Sequence, residues 1–374
     1  MDIWQGALEG VVMDTRFWRG KRVLVTGHTG FKGGWLTLWL EHLGARLCGI
    51  ALPPATQPNL FELAQVGAGM ESYFADIRDA AALAARIGSF APEIVFHLAA
   101  QPLVRASYRE PLATWASNLM GTVHLLDVLR QVDSVRVAVV VTTDKVYRNR
   151  EWPYPYREED PLGGHDPYSA SKAASELAIA SYRAAFFEAQ GVAVASARAG
   201  NVIGGGDWAE DRLIPDAIRA WQAGQPLRLR CPNAIRPWQH VLDPLYGYLT
   251  LAERLWQRPE LADAYNFGPL PHEVATVQEV AELARQAYGA GEIIAEAGVD
   301  GLRETGTLTL ETAKSREVLG LLPRWSLAEA VSRTMAWYRA VYQGRDARAL
   351  CFEEIAAFLD HEPAHCGKVS GVSS

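Results

Sequence analysis

The feature that most constrains the fold is a regular alternation of apolar strands and amphipathic helices over the first half of the chain. The predicted strands are Arg22–Thr26, Arg46–Ala51, Ser72–Phe74, Ile94–Leu98, Val137–Thr142 and Val192–Ala197. The predicted helices between them are Gly34–Leu43, Ala80–Ile87, Ala113–Gln131 and Pro167–Ala189. Such alternation is typical of a parallel sheet covered by helices on both faces. The sequence therefore predicts an α/β fold built on a Rossmann-type, doubly wound parallel sheet.

After the sixth predicted strand the composition changes to loops rich in Pro, Trp and Arg, followed by short mixed elements. We expect residues 20–200 to form a dinucleotide-binding domain, to which residues 235–265 return. Residues 201–345 are predicted to form a smaller C-terminal α/β part that binds substrate. Residues 1–19 are interpreted as an N-terminal extension, and residues 346–374 as a C-terminal helix with a frayed tail.

The bulk composition is that of an ordinary globular protein of 374 residues, 49% hydrophobic and 21% charged, with a net charge of −7. No basic stripe indicates a nucleic-acid partner. No apolar run approaches the roughly 18 residues that a membrane span needs, and Met1–Gly20 does not have the pattern of a signal peptide. The four scattered cysteines favour a reduced, cytoplasmic protein. No metal is expected, because His361, His365 and Cys366 lack the sequence context of a zinc site.

A glycine-rich turn, Thr26-Gly-His-Thr-Gly-Phe-Lys-Gly33, follows the first predicted strand and opens a helix. Glycines in this position let the backbone approach a pyrophosphate, whose charge the helix N-terminus stabilises. Asp76 and the Leu98–Ala100 turn follow the third and fourth strands, where they can line adenine and ribose. The segment Ile50–Ala55 has neither a carboxylate for the ribose nor an arginine for a 2′-phosphate. The residues alone therefore leave NAD and NADP both open.

Two sets of reactive groups lie close together in the sequence. Tyr168 and Lys172 are four residues apart, so on a helix they share a face, where the ammonium can lower the pKa of the phenol. Thr143, Asp144 and Lys145 follow an apolar strand, and open α/β sheets build their sites at the carboxyl ends of strands. The first set suits redox chemistry at a carbinol, and the second adds acid–base chemistry. Together they predict an oxidoreductase that also eliminates water.

In several separate motifs the chain resembles the extended short-chain dehydrogenase/reductases that act on nucleotide sugars. These motifs are Thr26–Trp35, Phe96–Val104, Asn118–His124, Thr143–Tyr147, Asp166–Lys172, Arg198–Trp208, Asp211–Pro215 and Ile235–Val241. The resemblance runs from about Gly20 to Arg345. Within the family it is strongest to the CDP-glucose branch of the 4,6-dehydratases, which carries lysine at the position of Lys145 where the dTDP-glucose and GDP-mannose enzymes carry glutamate.

The resemblance implies a tightly bound NAD and a role for each catalytic residue. The implied cofactor residues are Gly27, Thr29, Gly30, Phe31, Lys32, Gly33, Asp76, Ile77, Leu98, Ala99, Ala100, Tyr168 and Lys172. Tyr168 would remove the proton of the sugar 4-hydroxyl, Lys172 would bind the nicotinamide ribose, and Thr143 would hydrogen-bond near the 4-oxygen. Asp144 would protonate the departing 6-hydroxyl. Lys145 would remove the C5 proton or, as an ammonium, stabilise the enolate while another group removes that proton.

The same resemblance implies the substrate contacts and the assembly. An anionic pyrophosphate calls for arginine contacts, and the implied substrate residues are Gln101, Arg105, Asn201, Arg212, Leu213, Ile214, Arg236 and Arg303. A homodimer or homotetramer would form through the two long helices, Ala113–Gln131 and Pro167–Ala189. The product would enter deoxysugar synthesis for a bacterial surface polysaccharide such as a lipopolysaccharide O-antigen.

The sequence leaves three alternative functions. A 4,6-dehydratase acting on a dTDP- or GDP-sugar is a serious alternative, because no physical argument from the sequence selects cytosine over thymine. A nucleotide-sugar 4-epimerase needs no acid beside the 6-hydroxyl, so Asp144 and Lys145 weigh against it. A cofactor-binding sensor or scaffold with an inactive site is disfavoured by the presence of Thr143, Tyr168 and Lys172.

Overall fold

The computed structural model describes residues 13–271, 273–295 and 306–361. In chain order its strands are β1 (Arg22–Thr26), β2 (Arg46–Ala51), β3 (Glu71–Phe74), β4 (Ile94–His97), β5 (Val137–Val141), β6 (Ala193–Ala199), β7 (Val202–Ile203), β8 (Leu227–Leu229), β9 (Ile235–Arg236), β10 (Gln239–His240), β11 (Ala264–Phe267), β12 (Ala275–Thr276) and β13 (Ile293–Ala295).

The α-helices are α1 (Phe31–His42), α2 (Leu60–Leu63), α3 (Ala80–Phe90), α4 (Val104–Arg109), α5 (Pro111–Trp115), α6 (Gly121–Leu129), α7 (Pro167–Tyr182), α8 (Glu188–Gln190), α9 (Leu213–Gln222), α10 (Leu242–Gln257), α11 (Val277–Tyr288), α12 (Ala313–Leu319), α13 (Leu327–Tyr342) and α14 (Ala347–Asp360). Short 3-10 turns add Val66–Gly69, Asp144–Val146 and Pro259–Leu261. No helix in the described ranges is both long enough and apolar enough to cross a bilayer.

Seven parallel strands form the central sheet in the order β11-β6-β5-β4-β1-β2-β3. The chain starts near the middle at β1, builds outward through β2 and β3, and then returns to the other side of β1 with β4. The strand order reverses between β1 and β4, where Thr26 pairs with His97. A crevice opens at such a reversal beyond the carboxyl ends of the strands, and open α/β sheets bind their ligands there. The predicted fold class is confirmed.

Both faces of the sheet are buried at its centre, which explains why a central strand such as β5 is apolar throughout rather than alternating, whereas the edge strand β3 is partly exposed. All five residues of β5 are buried. Within β1, Val23 and Val25 pack into the core on one face, whereas Leu24 packs into the core on the other. Helices cover both faces of the sheet, so a site can form at the carboxyl ends of the strands, where the loops lie.

The predicted element bounds are wrong in places for identifiable reasons. Strand β6 continues two residues beyond the predicted end, to Ala199, because β11 pairs with it from Ser196 to Ala199. The two long predicted helices are not regular α-helices. π turns at Ala116–Met120 and Arg183–Phe187 interrupt them.

After β6 the chain forms three short strand pairs, β7 with β10, β9 with β12 and β8 with β13. Helices α9, α11 and α13 pack around them. Helix α10 packs against β5 and β6, and β11 joins the edge of the central sheet. These later segments provide the wall of the crevice that faces the carboxyl ends of the strands. The division into domains at the predicted residue numbers stays a prediction.

Candidate active site

A cleft of about 850 Å³ lies beyond the carboxyl ends of the sheet. Its lining includes every residue predicted for the site except one: Gly27, Thr29, Gly30, Phe31, Lys32, Gly33, Asp76, Ile77, Leu98, Ala99, Ala100, Gln101, Arg105, Thr143, Asp144, Lys145, Tyr168, Lys172, Asn201, Arg212, Leu213, Ile214 and Arg236. The exception, Arg303, lies outside the described residues. Residues from several separate motifs therefore meet in one cavity.

The glycine turn requires glycine at two of its positions. Gly27 has a φ of +82°, and a Cβ added there would lie 2.7 Å from the backbone nitrogen of Ala99. A Cβ at Gly33 would lie 2.0 Å from the carbonyl oxygen of Gly27. Gly30, the N-cap of α1, provides no side-chain cap, so the first backbone N–H groups of the helix can bind an anion. This cradle fits the pyrophosphate of a dinucleotide.

At the end of β3, Asp76 accepts hydrogen bonds from the backbone N–H of Arg78 and from its guanidinium, with an Nη2–Oδ2 distance of 2.6 Å. The hydrogen bonds from the Arg78 side chain lower the pKa of the Asp76 carboxyl. Asp79, not Asp76, caps helix α3 by accepting from the N–H of Ala82. Asp76 thus remains a charged group in the part of the cleft that is predicted to bind adenosine.

Asp144 and Tyr168, the residues predicted to be the acid and the base, are linked by one hydroxyl. Thr143 caps the 3-10 turn that follows β5, and its Oγ1 lies 2.9 Å from Oδ1 of Asp144. The same side chain hydrogen-bonds to the Tyr168 phenol. Asp144 is only 2% exposed, and burial raises the pKa of its carboxyl, against the opposing effect of Lys145. A carboxyl whose pKa is raised by burial is suited to act as a general acid.

The lowering of the Tyr168 pKa by Lys172 stays a prediction, because other groups dominate in this structure. Burial raises the pKa of Tyr168 to about 12, and the groups that lower it are the hydroxyl of Thr143 and, to a smaller extent, Arg212. The Lys172 ammonium instead donates to the carbonyl oxygen of Val141, at 3.0 Å. Burial lowers the pKa of Lys172 itself to about 8. Sharing a helix face therefore does not by itself give a tyrosinate, because both side chains also lose their hydration.

Lys32 extends beyond the glycine turn toward the catalytic residues. Its Nζ donates to the hydroxyl of Tyr248, on α10, at 3.3 Å. Burial lowers the pKa of Lys32 to about 7, with Arg212 and Lys172 acting in the same direction and Asp144 opposing them. The sequence predicted only that Lys32 contacts the cofactor at the turn. The structure adds that its amine lies within electrostatic range of the acid.

On the opposite wall, Arg212 forms an ion pair with Asp207 at 3.0 Å and precedes α9. Leu213 and Ile214 form the first turn of that helix, and Arg212 provides no side-chain cap. Arg236 is 6% exposed, and its Nη1 donates to the carbonyl oxygens of Ile235 and, at 3.2 Å, of Gly306. This wall therefore offers guanidinium groups and backbone N–H groups, the donors that phosphates accept from.

Gln101 and Arg105 lie at the rim of the cleft and already have protein partners. The amide of Gln101 donates to the hydroxyl of Thr114 at 2.9 Å and accepts from the N–H of Leu103. Arg105 forms an ion pair with Asp211 at 3.6 Å. Gln101 thus shapes the wall mainly by holding the loop after β4.

Two further arginines, Arg228 and Arg230, line the cleft and were not predicted from the sequence. Arg230 pairs with Asp211 at 2.7 Å. The alternation Leu227-Arg228-Leu229-Arg230 is the signal that could have identified them, since alternate residues of a strand share a face. Leu227 and Leu229 are buried, and all four residues of the segment line the cleft.

Comparisons with known proteins agree with this geometry. Residues 23–268 match the model of the NAD dependent epimerase/dehydratase family. The chain is 46% identical to the CDP-glucose 4,6-dehydratase of Salmonella typhimurium (strain LT2), over 93% of this chain and 99% of that protein. It is 31% identical to the dTDP-glucose 4,6-dehydratase of Streptomyces antibioticus, over 66% of this chain and 70% of the relative.

Among solved structures, the fold matches a dTDP-glucose 4,6-dehydratase double mutant from Streptomyces venezuelae with NAD and DAU bound. The TM-score is 0.73 at 25% identity, covering 85% of this chain and 97% of that one. A UDP-glucose 4-epimerase from Stenotrophomonas maltophila with bound NAD gives a TM-score of 0.75 at 22% identity, which speaks to the fold alone.

Proposed function

The chain belongs to the NAD dependent epimerase/dehydratase family, and we propose that it converts CDP-glucose to CDP-4-dehydro-6-deoxyglucose and water. The observation that carries the dehydration is Asp144, a buried carboxyl whose pKa burial raises, one hydroxyl away from Tyr168. An epimerase has no use for an acid at that position. The 46% identity with the Salmonella enzyme, over nearly the whole of both chains, supports cytidine as the nucleoside.

The cofactor is NAD, which when bound takes the hydride from C4 of the sugar and returns it to C6. The glycine cradle would hold its pyrophosphate, because Gly27 and Gly33 leave room that any Cβ would fill. Asp76, the Ile77 side chain and the Leu98–Ala100 turn would line the adenosine, and Lys172 the nicotinamide ribose. All of these residues line one cleft, which supports their assignment to a single bound cofactor.

Tyr168 takes the proton of the 4-hydroxyl, and Thr143 stabilises the phenolate by the hydrogen bond that lowers the pKa of Tyr168. The resulting C4 ketone acidifies the C5 hydrogen, which a side-chain base can then remove. We assign that step to Lys145, which lines the cleft beside Asp144 and would return the proton to C5 as the hydride reaches C6. Asp144 gives its proton to the 6-hydroxyl as the C6–O bond breaks, so the leaving group is water rather than hydroxide.

Arg212, Arg236 and the first turn of α9 would bind the substrate pyrophosphate, with Asn201 beside them. They lie across the cleft from the glycine cradle, so cofactor and substrate would meet at the Thr143–Tyr168 cluster. Arg228 and Arg230 extend the same basic wall. The sugar would then lie between the two anionic ligands.

We also propose a homodimer formed by the helical segments 111–129 and 167–190. Large apolar side chains on these segments are exposed, among them Leu112 at 84% and Leu177 at 64%, with Met120 and Phe186 beyond 40%. Exposed apolar surface of this kind is typical of a protein interface. The scattered cysteines support a cytoplasmic location, and the proposed product supports a place in deoxysugar synthesis for a surface polysaccharide.

The function is tested by incubating the purified protein separately with CDP-glucose, dTDP-glucose, UDP-glucose and GDP-mannose. Formation of a 4-keto-6-deoxy product is followed by mass spectrometry, as loss of one water from the nucleotide sugar. We expect product from CDP-glucose, with much lower kcat/KM for the other three. Turnover of dTDP-glucose alone would refute cytosine as the nucleobase of the substrate. Conversion between 4-epimers without loss of water would refute dehydration.

A further inference from the structure

A buried ion pair lies directly behind the lysine of the catalytic helix. Glu176 is one turn beyond Lys172 on α7, so the two side chains share a helix face. Its Oε2 accepts from Nη2 of Arg198, on β6, at 2.9 Å, and the side chains are 3% and 5% exposed. Neither residue lines the cleft. Contact with substrate or cofactor therefore does not explain the pair.

The Glu176 carboxylate connects three elements of the site. Its Oε1 accepts from the hydroxyl of Thr142, the residue immediately before Thr143. Its Oε2 also accepts from the hydroxyl of Ser196 on β6, at 2.6 Å. The carboxylate therefore ties helix α7 to the carboxyl end of β5, where the acid and its neighbouring hydroxyl begin, and to the adjacent strand.

Arg198 extends this network away from the cleft. Its Nη1 donates to the hydroxyl of Tyr147 at 3.0 Å and to the carbonyl oxygen of Glu158 at 2.9 Å. Tyr147 in turn donates to Oδ1 of Asn266, on β11, at 2.6 Å. The segment that follows the catalytic turn is thus anchored to the same ion pair. A hydrogen-bonded buried network of this kind fixes its members more firmly than isolated pairs do.

The charges around Lys172 explain why a carboxylate is needed here. Burial disfavours the ammonium and brings the pKa of Lys172 to about 8, and Glu176 opposes that effect. From α1, Lys32 faces Lys172 with a charge of the same sign. From β4, His97 faces it as a neutral ring, because burial lowers the pKa of His97 to about 3. Tyr168 shares the α7 face with Lys172, and burial raises the pKa of its phenol to about 12 while the hydroxyl of Thr143 lowers it.

We propose that Glu176 is a positioning residue for the reaction, which keeps the Lys172 side chain charged and directed at the Val141 carbonyl and holds the Thr142–Asp144 segment against α7. The proposal rests on the dehydratase function and extends it to a residue outside the cleft. A purely structural Glu176 would stabilise the fold without influencing the charge of Lys172. The two possibilities differ in their pH dependence.

The direction in which Glu176→Gln shifts the pH dependence of kcat follows from the charge of Lys172. The ammonium form is present below the pKa of Lys172 and is lost as pH rises through it. Removing the negative charge of Glu176 lowers that pKa, so the fall of kcat at alkaline pH should begin at a lower pH. For a displacement of one pH unit, the ratio of wild-type to Glu176→Gln kcat grows about sixfold between roughly pH 6.5 and pH 8.5.

The experiment compares kcat against pH for CDP-glucose in the wild-type protein, Glu176→Gln, Glu176→Asp and Ser196→Ala. The last two are matched controls, because each disturbs the hydrogen bonds of the network while keeping the carboxylate charge. We expect the alkaline limb to move only in Glu176→Gln. If Glu176→Gln lowers kcat by the same factor at every pH, the proposal is overturned and the role is structural alone.

Two additions keep the test decisive. Glu176→Gln leaves Arg198 buried without a carboxylate and can unfold the protein. Glu176→Gln combined with Arg198→Met therefore provides a neutral pair, for which we expect a shift in the same direction but smaller, because a nearby positive charge is removed as well. The pH dependence of Lys172 acetylation, followed by mass spectrometry, reads the charge of the amine without turnover. Onset at lower pH in the variant supports the proposal even if CDP-glucose is not the substrate, and an unchanged onset overturns it.

Discussion

At the scale of single residues, the site depends on how burial sets the charge of each group. Asp144 lies in a dry position that favours the protonated carboxyl, whereas Lys32 and Lys172 lie in positions that weaken their ammonium forms. Thr143 joins the acid to Tyr168 through a single hydroxyl. The first step of the reaction needs the phenol, and the second needs the carboxyl. Changes at these two residues should therefore separate the steps.

We predict that Asp144→Asn still oxidises the sugar at C4 but eliminates water about 10²- to 10⁴-fold more slowly, which is the usual contribution of a general acid. Asparagine preserves the shape and the Thr143 contact but has no acidic proton. Stopped-flow absorbance of the reduced cofactor should show it accumulating. Tyr168→Phe, in contrast, should give no reduced cofactor at all. Equal loss of both steps in Asp144→Asn would contradict its role as the acid, and the exposed Asp133→Asn serves as the control.

At the scale of secondary structure, the glycine turn places a strict steric requirement on its residues. Helix α1 begins three residues before its predicted start because Gly30 is its N-cap and the turn leads directly into the first helical turn. The close approach of Gly33 to the Gly27 carbonyl depends on the absence of a side chain. The cofactor cradle should therefore be lost on adding a single methyl group.

We predict that Gly33→Ala abolishes or strongly weakens NAD binding, because its Cβ would lie 2.0 Å from the Gly27 carbonyl oxygen. Gly88→Ala is the matched control. Gly88 lies on helix α3, and a Cβ added there would have nothing within 4 Å, so alanine should stabilise the protein by about 0.5–1 kcal/mol. The NAD content of the purified proteins and their thermal unfolding check both results. Normal NAD content in Gly33→Ala would contradict this account of the turn.

The strands at the centre of the sheet could be predicted closely because they are buried on both faces and are mostly apolar. The end of β6 could not be predicted, since it depends on pairing with β11, which lies far away in the sequence. The π turns at Ala116–Met120 and Arg183–Phe187 have no comparable sequence signal. For the site, the motifs predicted which residues meet. They could not predict the pKa of Tyr168, which depends on burial in three dimensions.

At the scale of the whole molecule, one cleft brings together two groups of residues proposed to bind anions and the groups proposed to react. One anion-binding group is the glycine turn and the other is the segment around α9 and β9. Helices α5 and α7 present the exposed Leu112 and Leu177. The molecule thus separates the surface proposed for assembly from the surface proposed for catalysis.

We predict that Leu177→Glu converts the dimer to a monomer, because a carboxylate would have to be buried in the helical interface. Leu63→Glu is the control, since Leu63 is also partly exposed, at 38%, but lies on α2 away from that surface. Sedimentation velocity measures the change. A wild-type protein that sediments as a monomer would contradict the proposed dimer, as would a Leu177→Glu variant that remains dimeric.

The central claim is that oxidation at C4, loss of water and reduction at C6 occur on one sugar without its release. The most direct measurement uses CDP-glucose with deuterium at C4, mixed with unlabelled CDP-glucose, and locates the label in the product by NMR and mass spectrometry. We predict that deuterium appears at C6 of the molecules that carried it at C4, with none in the others. Loss of deuterium to water, its transfer between molecules, or its retention at C4 would contradict the account.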